Sequence, residues 1–227
     1  HMKASSLPEI ERARFNMIEQ QIRPCGVFDN NVLDALFSVR RELFVPANYR
    51  SLAFSDLEIP LSISSGETNQ TMLAPKLEAT LTQLLQLQPD DCVLEVGTGS
   101  GYQAALLAKL SHCVTSIEID PRLSAFAQQN LQQAGVTNVT VETGDASNGW
   151  GTTEHHAILV TGAVPAIPDA LKYQLCVGGR MVVVVGQAPA MTVYRVTRST
   201  AASFETTPLF ETVIKPLSGF TTSRFKF

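Results

Sequence analysis

The stretch Val93-Leu94-Glu95-Val96-Gly97-Thr98-Gly99-Ser100-Gly101 decides how this chain is read. An apolar run ends, glycines alternate with small hydroxyl residues, and helix-forming residues follow from Tyr102. That order is strand, tight turn, helix. Glycines at 97, 99 and 101 permit a sharp bend and let a ligand approach the main chain. A dinucleotide fingerprint would place its third glycine at 102, where Tyr102 stands, so no backbone cradle for a pyrophosphate is expected.

Working outward, the chain beyond residue 89 is rhythmic. Residues 92–96, 113–119, 139–143, 156–161 and 180–186 are apolar runs of strand length, and 191–197 and 210–215 supply two more. Helical patterns over 102–110, 121–134 and 168–175 alternate with them. Asp120-Pro121 is an N-cap and first-turn pair, and Gly135 suits the position just past that helix. Four β-α-β units with fully apolar strands predict an α/β fold with a doubly wound, mostly parallel seven-stranded sheet, covered on both faces and antiparallel at one edge.

Residues 3–88 read as an N-terminal helical cap. Helices are expected over 8–22, from Asn30 or Asn31 through Val39, and over 75–87. Between them, 54–70 holds Pro60, Gly66 and many Ser, Thr and Asn residues. It is expected to be an irregular polar loop that carries function. The expected organisation is a cap with an acceptor loop over 3–88 and a cofactor-binding core over 89–227, together one compact unit.

Composition narrows the function. The 227 residues carry 17 basic and 21 acidic groups, a net charge of -4, with 44% hydrophobic residues. This excludes a chain held open by charge and argues against a large nucleic-acid footprint. No apolar run reaches the roughly 18 residues of a membrane helix. Cys25, Cys92, Cys113 and Cys176 form no CxxC pair, and His155-His156 lacks a second ligand pair, so no metal site is expected. Cys92 and Cys113 read as small buried hydrophobes. No signal peptide is visible, and His1-Met2 reads as the remnant of an expression tag. A reducing, cytoplasmic setting is expected.

The glycine pattern with Glu95 two residues ahead resembles the first motif of S-adenosylmethionine-dependent methyltransferases. Glu118 ends the next strand about twenty positions on, where an acidic residue accepts both ribose hydroxyls. By the same resemblance, Asp145 of Gly144-Asp145 would accept the adenine amino group. Thr161 would stand at the switch point, where acceptor and cofactor sulfur meet. The expected cofactor set is Glu95, Gly97, Thr98, Gly99, Ser100, Gly101, Gln103, Glu118, Ile119, Gly144, Asp145, Ala146 and Thr161.

Further segments narrow the resemblance. Arg41-Glu42-Leu43-Phe44-Val45-Pro46, residues 95–103, Gly144-Asp145, Gly149-Trp150, residues 158–161, Gly178-Gly179-Arg180 and Lys215-Pro216-Leu217 are similar to protein-L-isoaspartate O-methyltransferases over nearly the whole chain. The resemblance implies methyl transfer from S-adenosyl-L-methionine to the α-carboxylate of isoaspartyl residues in damaged proteins, leaving S-adenosyl-L-homocysteine. The ester would then collapse to a succinimide. One departure touches the acceptor. The family carries a Ser at its reaction centre in a Thr-Ile-Ser-x-Pro type segment. Anchored on Pro75 that position is Leu73; anchored on Gly66 it is Gln70. Thr68, Asn69, Gln70 and Thr71 are the candidates to orient the acceptor instead. Two alternatives stay open: another acceptor, small molecule or protein, or a cofactor-binding regulator without transfer activity.

Overall fold

Short apolar runs become the centre of the sheet because both faces are buried there. A computed structural model describes residues 7–220. The outermost residues of both expected units, and His1-Met2, lie outside the described residues. Among the described residues the nine strands are β1 (Ile59–Ile63), β2 (Gly66–Met72), β3 (Cys92–Val96), β4 (Cys113–Glu118), β5 (Val139–Thr143), β6 (His155–Val164), β7 (Leu175–Gln187), β8 (Ala190–Arg198) and β9 (Phe204–Thr212). β1 and β2 form a separate antiparallel ribbon, and the rest form one sheet in the order β5-β4-β3-β6-β7-β8-β9. β5, β4, β3, β6 and β7 run parallel, while β8 and β9 are antiparallel, as the short turn after β7 led one to expect. The chain winds outward from β3 to β5, then returns to β6 on the other side of β3. That reversal opens a crevice beyond the carboxyl ends of β3 and β6.

The helices are α1 (Glu9–Asn16), α2 (Asn30–Ser38), α3 (Pro75–Leu84), α4 (Tyr102–Leu110), α5 (Pro121–Gln133) and the single turn α6 (Asp169–Lys172). α1 runs on through a π-helical segment, Met17–Ile22, whose Met17, Ile18 and Ile22 are buried. The Asp120 carboxylate accepts from the Arg122 N–H and caps α5. The cap is not a satellite: Met17, Ile22, Leu36 and Phe44 share a core with Tyr102 and Leu106 of α4 and Leu123 of α5.

Four expectations fail. The polar segment expected as a loop is the β1–β2 ribbon. Ile59 and Leu61 alternate inward and are fully buried, while Pro60 stays at the edge. No helix joins β5 to β6; the connection is a turn through Gly149 and Gly151, both at positive φ. Residues 173–175 do not continue α6, because Leu175 already starts β7. Cys92 and Cys113 pair across β3 and β4 and are half-buried rather than buried, with their sulfurs 3.0 Å apart.

Candidate active site

The crevice at the strand reversal is a cleft open to solvent. Gly97, Thr98, Gly99, Ser100, Gln103, Glu118, Ile119 and Thr161 of the expected cofactor set line it, as do Thr68, Gln70 and Thr71 of the expected acceptor set. Glu95, Gly101, Gly144, Asp145, Ala146 and Asn69 do not line it.

The turn after β3 explains this division. Gly99 has φ +56, and a Cβ there would meet only Leu61 Cδ1 at 3.5 Å, so its missing side chain leaves the cleft open. A Cβ on Gly97 would lie 2.3 Å from Thr161 Oγ1. Gly97 is therefore required by the close approach of β3 and β6, and Thr161 donates to the Gly97 carbonyl at 2.7 Å. Gly101 packs on Ala127 and Leu131 of α5. Gly144 faces the Trp150 ring, which a Cβ would strike at 2.5 Å, and the indole N–H is bonded to Glu142. Those two glycines serve packing.

Glu118 reaches the cleft from the end of β4. It is buried, and its carboxylate accepts from the Gly99 N–H at 2.9 Å and the Asp120 N–H at 3.0 Å. Burial pushes its pKa above the ordinary range, against the pull of those two N–H groups. A carboxylate offers about four acceptor sites, so capacity is left for a ligand. Ile119 is exposed beside it. Asp145 lies past the cleft; its Oδ1 accepts from the Ser147 N–H at 2.9 Å and sits 2.8 Å from where a Gly219 Cβ would be, as Ile119 Cδ1 sits at 3.3 Å. Asp145 and Ile119 thus meet at one end, under the C-terminal segment.

Glu95 is placed one layer below. It is fully buried; Ser116 Oγ donates to its Oε1 at 2.6 Å, and Thr98 Oγ1 lies 2.6 Å from Ser116 Oγ. Its Oε2 has no partner, and burial pushes the carboxyl up to about 8. The folded state then holds a proton that the unfolded chain has lost, so folding is opposed increasingly as pH rises from about 4.5 to about 8. Glu95→Gln should remove this loss. Urea unfolding should show the variant more stable than the parent by over about 1 kcal/mol at pH 9 and nearly equal at pH 4.5.

At the acceptor end, the ribbon is bulged. Pro60 pairs with Thr71 and Ser62 with Glu67, so Thr68, Asn69 and Gln70 oppose Leu61 alone. Asn69 takes φ +59, as a bulge needs. Thr68 donates to the Leu61 carbonyl at 2.7 Å, so its hydroxyl is committed to the ribbon. Gln70 Nε2 donates to Ser218 Oγ at 3.3 Å. Leu73, just before α3, lines the cleft beside Glu78.

Sequence reasoning missed Glu78. Arg41, fully buried, donates to its Oε1 at 2.5 Å, to the Ala53 carbonyl at 2.6 Å and to the Leu73 carbonyl at 3.2 Å. Burial pushes Glu78 up to about 7 while Arg41 pulls it down. An acid in the first turn of an otherwise apolar helix face was the available signal. Lys215, Leu217 and Ser218 also line the cleft. They arrive because Leu217 N donates to the Ala163 carbonyl at 2.8 Å, pinning the C-terminal segment to β6.

A parallel sheet reversing beside β3, a glycine turn there and a buried carboxylate ending β4 define the Rossmann-like class of S-adenosylmethionine-dependent methyltransferases. The family model for Protein-L-isoaspartate(D-aspartate) O-methyltransferase matches residues 12–221. The chain belongs to that family. The protein-L-isoaspartate O-methyltransferase of Koribacter versatilis is 41% identical over 211 residues, 92% of this chain and 91% of that one. Its namesake from Methanoculleus marisnigri is 41% identical over 209 residues, 92% of each chain. Among solved structures, a protein-L-isoaspartate O-methyltransferase superposes with a TM-score of 0.80 at 25% identity, over 91% of this chain and 66% of that one. A Plasmodium falciparum chain assigned to the same family, in complex with S-adenosyl-L-homocysteine, gives 0.77 at 19%, over 94% of this chain and 100% of that one.

Proposed function

We propose that this chain transfers a methyl group from S-adenosyl-L-methionine to the α-carboxylate of isoaspartyl residues in damaged proteins or peptides. The observation that carries the reading is a single cleft joining the glycine turn and Glu118 to the bulged ribbon and Leu73, in a chain that matches this family over nearly its whole length.

The cleft fits that cofactor. Gly99 leaves room that any side chain would fill, Glu118 has acceptor capacity for ribose hydroxyls, and Ile119 gives an apolar surface for a base. Glu78, Glu118 and Asp120 line the cleft, with Lys215 its sole basic group among the described residues. That balance suits a cationic cofactor and opposes a pyrophosphate. When bound, S-adenosyl-L-methionine supplies an electrophilic methyl: its carbon–sulfur bond breaks as a carbon–oxygen bond forms to the acceptor carboxylate.

The remaining work is placement, because a carboxylate is already ionised and nucleophilic at neutral pH. Gln70 and Thr71 face the acceptor from the ribbon, Thr68 holds the bulge, and Asn69 contributes through its backbone. Leu73 narrows and dries the floor. Asp145 takes the adenine end with Ala146 and Gly144 behind it. A reducing, cytoplasmic location fits four cysteines spread along the chain with no CxxC pair. Among the described residues no helix is long and apolar enough to cross a membrane.

S-adenosyl-L-homocysteine should raise the melting temperature by mass action while NAD leaves it unchanged. A larger shift with NAD would overturn the cofactor assignment. With S-adenosyl-L-methionine, an isoaspartyl peptide should gain one methyl by mass spectrometry, lost again in mild base. A peptide left unmodified by a cofactor-bound protein would refute the acceptor.

A further inference from the structure

Among the described residues, each carboxylate lining the cleft has a cation or backbone N–H groups as partner, while the one cation lining it has no charged partner. Glu78 is paired with Arg41, Glu118 accepts two backbone N–H groups, and Asp120 is paired with Arg122. Lys215 Nζ instead rests on a neutral group, the Asn69 carbonyl, at 3.0 Å. Among the described residues no carboxylate oxygen lies within 4.0 Å of it. The lysine's backbone is fixed, because Ala163 N donates to its carbonyl at 3.0 Å and Pro216 bridges to Ala163. Its side chain stays exposed, on the same wall as Thr161 and Gly162 and facing the bulge that carries Gln70.

We infer that Lys215 is the group that receives the acceptor's carboxylate, turning from the Asn69 carbonyl to the incoming oxygen. This rests on the proposed carboxyl acceptor. The physical reason is that a carboxylate offers an ammonium a charge where the carbonyl offers only a dipole. Among the described residues the cleft offers no other cation, Leu73 brings no donor, and the Thr68 hydroxyl is committed to Leu61. Gln70 and Ser218, joined by a long 3.3 Å bond, flank the same spot and can open toward the ligand. Methylation converts the carboxylate to a neutral ester, so the attraction vanishes in the product and release is favoured. An ammonium that binds the carboxylate also damps its nucleophilicity. Lys215 is therefore a binding and positioning residue, whose loss raises KM far more than it lowers kcat.

The test is calorimetric titration of the protein saturated with S-adenosyl-L-homocysteine. The titrants are an isoaspartyl peptide and the same peptide with that carboxylate as a carboxamide. The parent should bind the carboxylate peptide about tenfold tighter, the scale of one charge-assisted hydrogen bond. Lys215→Met should lose that preference and bind both alike. Lys215→Arg should keep most of it, and added salt should weaken the parent and the Arg variant but not the Met variant. Unchanged affinity for S-adenosyl-L-homocysteine in both variants reports an intact fold. Carboxylate binding by Lys215→Met equal to the parent's, or a parent that does not prefer the carboxylate, overturns the inference. A parent that binds through Lys215 yet transfers no methyl would refute the proposed function and leave the inference standing.

Discussion

Arg41→Met should destabilise the protein by about 3–5 kcal/mol at pH 8, the cost of removing one partner from a buried ion pair. Arg41 is fully buried, serves three acceptors, and lies 4.7 Å from the Tyr102 ring centre. Without it Glu78 stays buried, and the carbonyls of Ala53 and Leu73 lose their donor. Glu78 is already pushed up to about 7 with its partner present, so without it the carboxyl would hold its proton to higher pH still. A raised folded pKa opposes folding above the unfolded value. The deficit should therefore be smaller at pH 5 and grow through neutrality. Urea unfolding at the two pH values measures it. Adding Glu78→Gln should recover part of the loss, since the uncompensated charge goes too. A pH-independent deficit below about 1 kcal/mol would show that the pair does not support the cleft floor.

Glu118→Ala should weaken S-adenosyl-L-homocysteine by about 2–3 kcal/mol, roughly 30- to 150-fold, the scale of hydrogen bonds to a charged group. Two losses combine. The ligand's hydroxyls lose their acceptor, and the Gly99 N–H, which Glu118 holds in the turn, loses its own. Calorimetry on the variant checks this, with urea unfolding alongside to show that the fold survives. Affinity within a few-fold of the parent would remove Glu118 from the site.

The cofactor half was legible because its signals are local. Residues 92–96, 102–110 and 139–143 take the expected bounds: buried parallel strands are apolar runs, and the glycine turn marks where one stops. Glu118 followed from the length of one β-α-β step. The acceptor half depends on contacts between distant residues. The β1–β2 ribbon hid behind Pro60 and a polar outer face, although Ile59, Leu61 and Ile63 carry the two-residue alternation of a strand. β9 begins at Phe204, ahead of the expected 210, because residues 205–208 form an exposed, polar outer edge. Glu78 gains meaning only from Arg41, 37 positions away. Lys215 gains its own only when the C-terminal segment folds back over β6. Asn69, expected as an acceptor-orienting side chain, is a bulge residue whose side chain lies off the cleft, and Gly101 and Gly144 serve packing, because tight turns and ligand contacts use the same residue.

The measurement closest to the central claim is the initial rate of base-labile tritiated-methyl transfer from S-adenosyl-L-methionine to two peptides that differ only in one linkage, isoaspartyl against aspartyl. Label on the isoaspartyl peptide alone is the expected result, because the chain matches the isoaspartyl-specific family over nearly its whole length. Equal labelling of both peptides, or none on the isoaspartyl peptide from a protein that binds S-adenosyl-L-homocysteine, would contradict it.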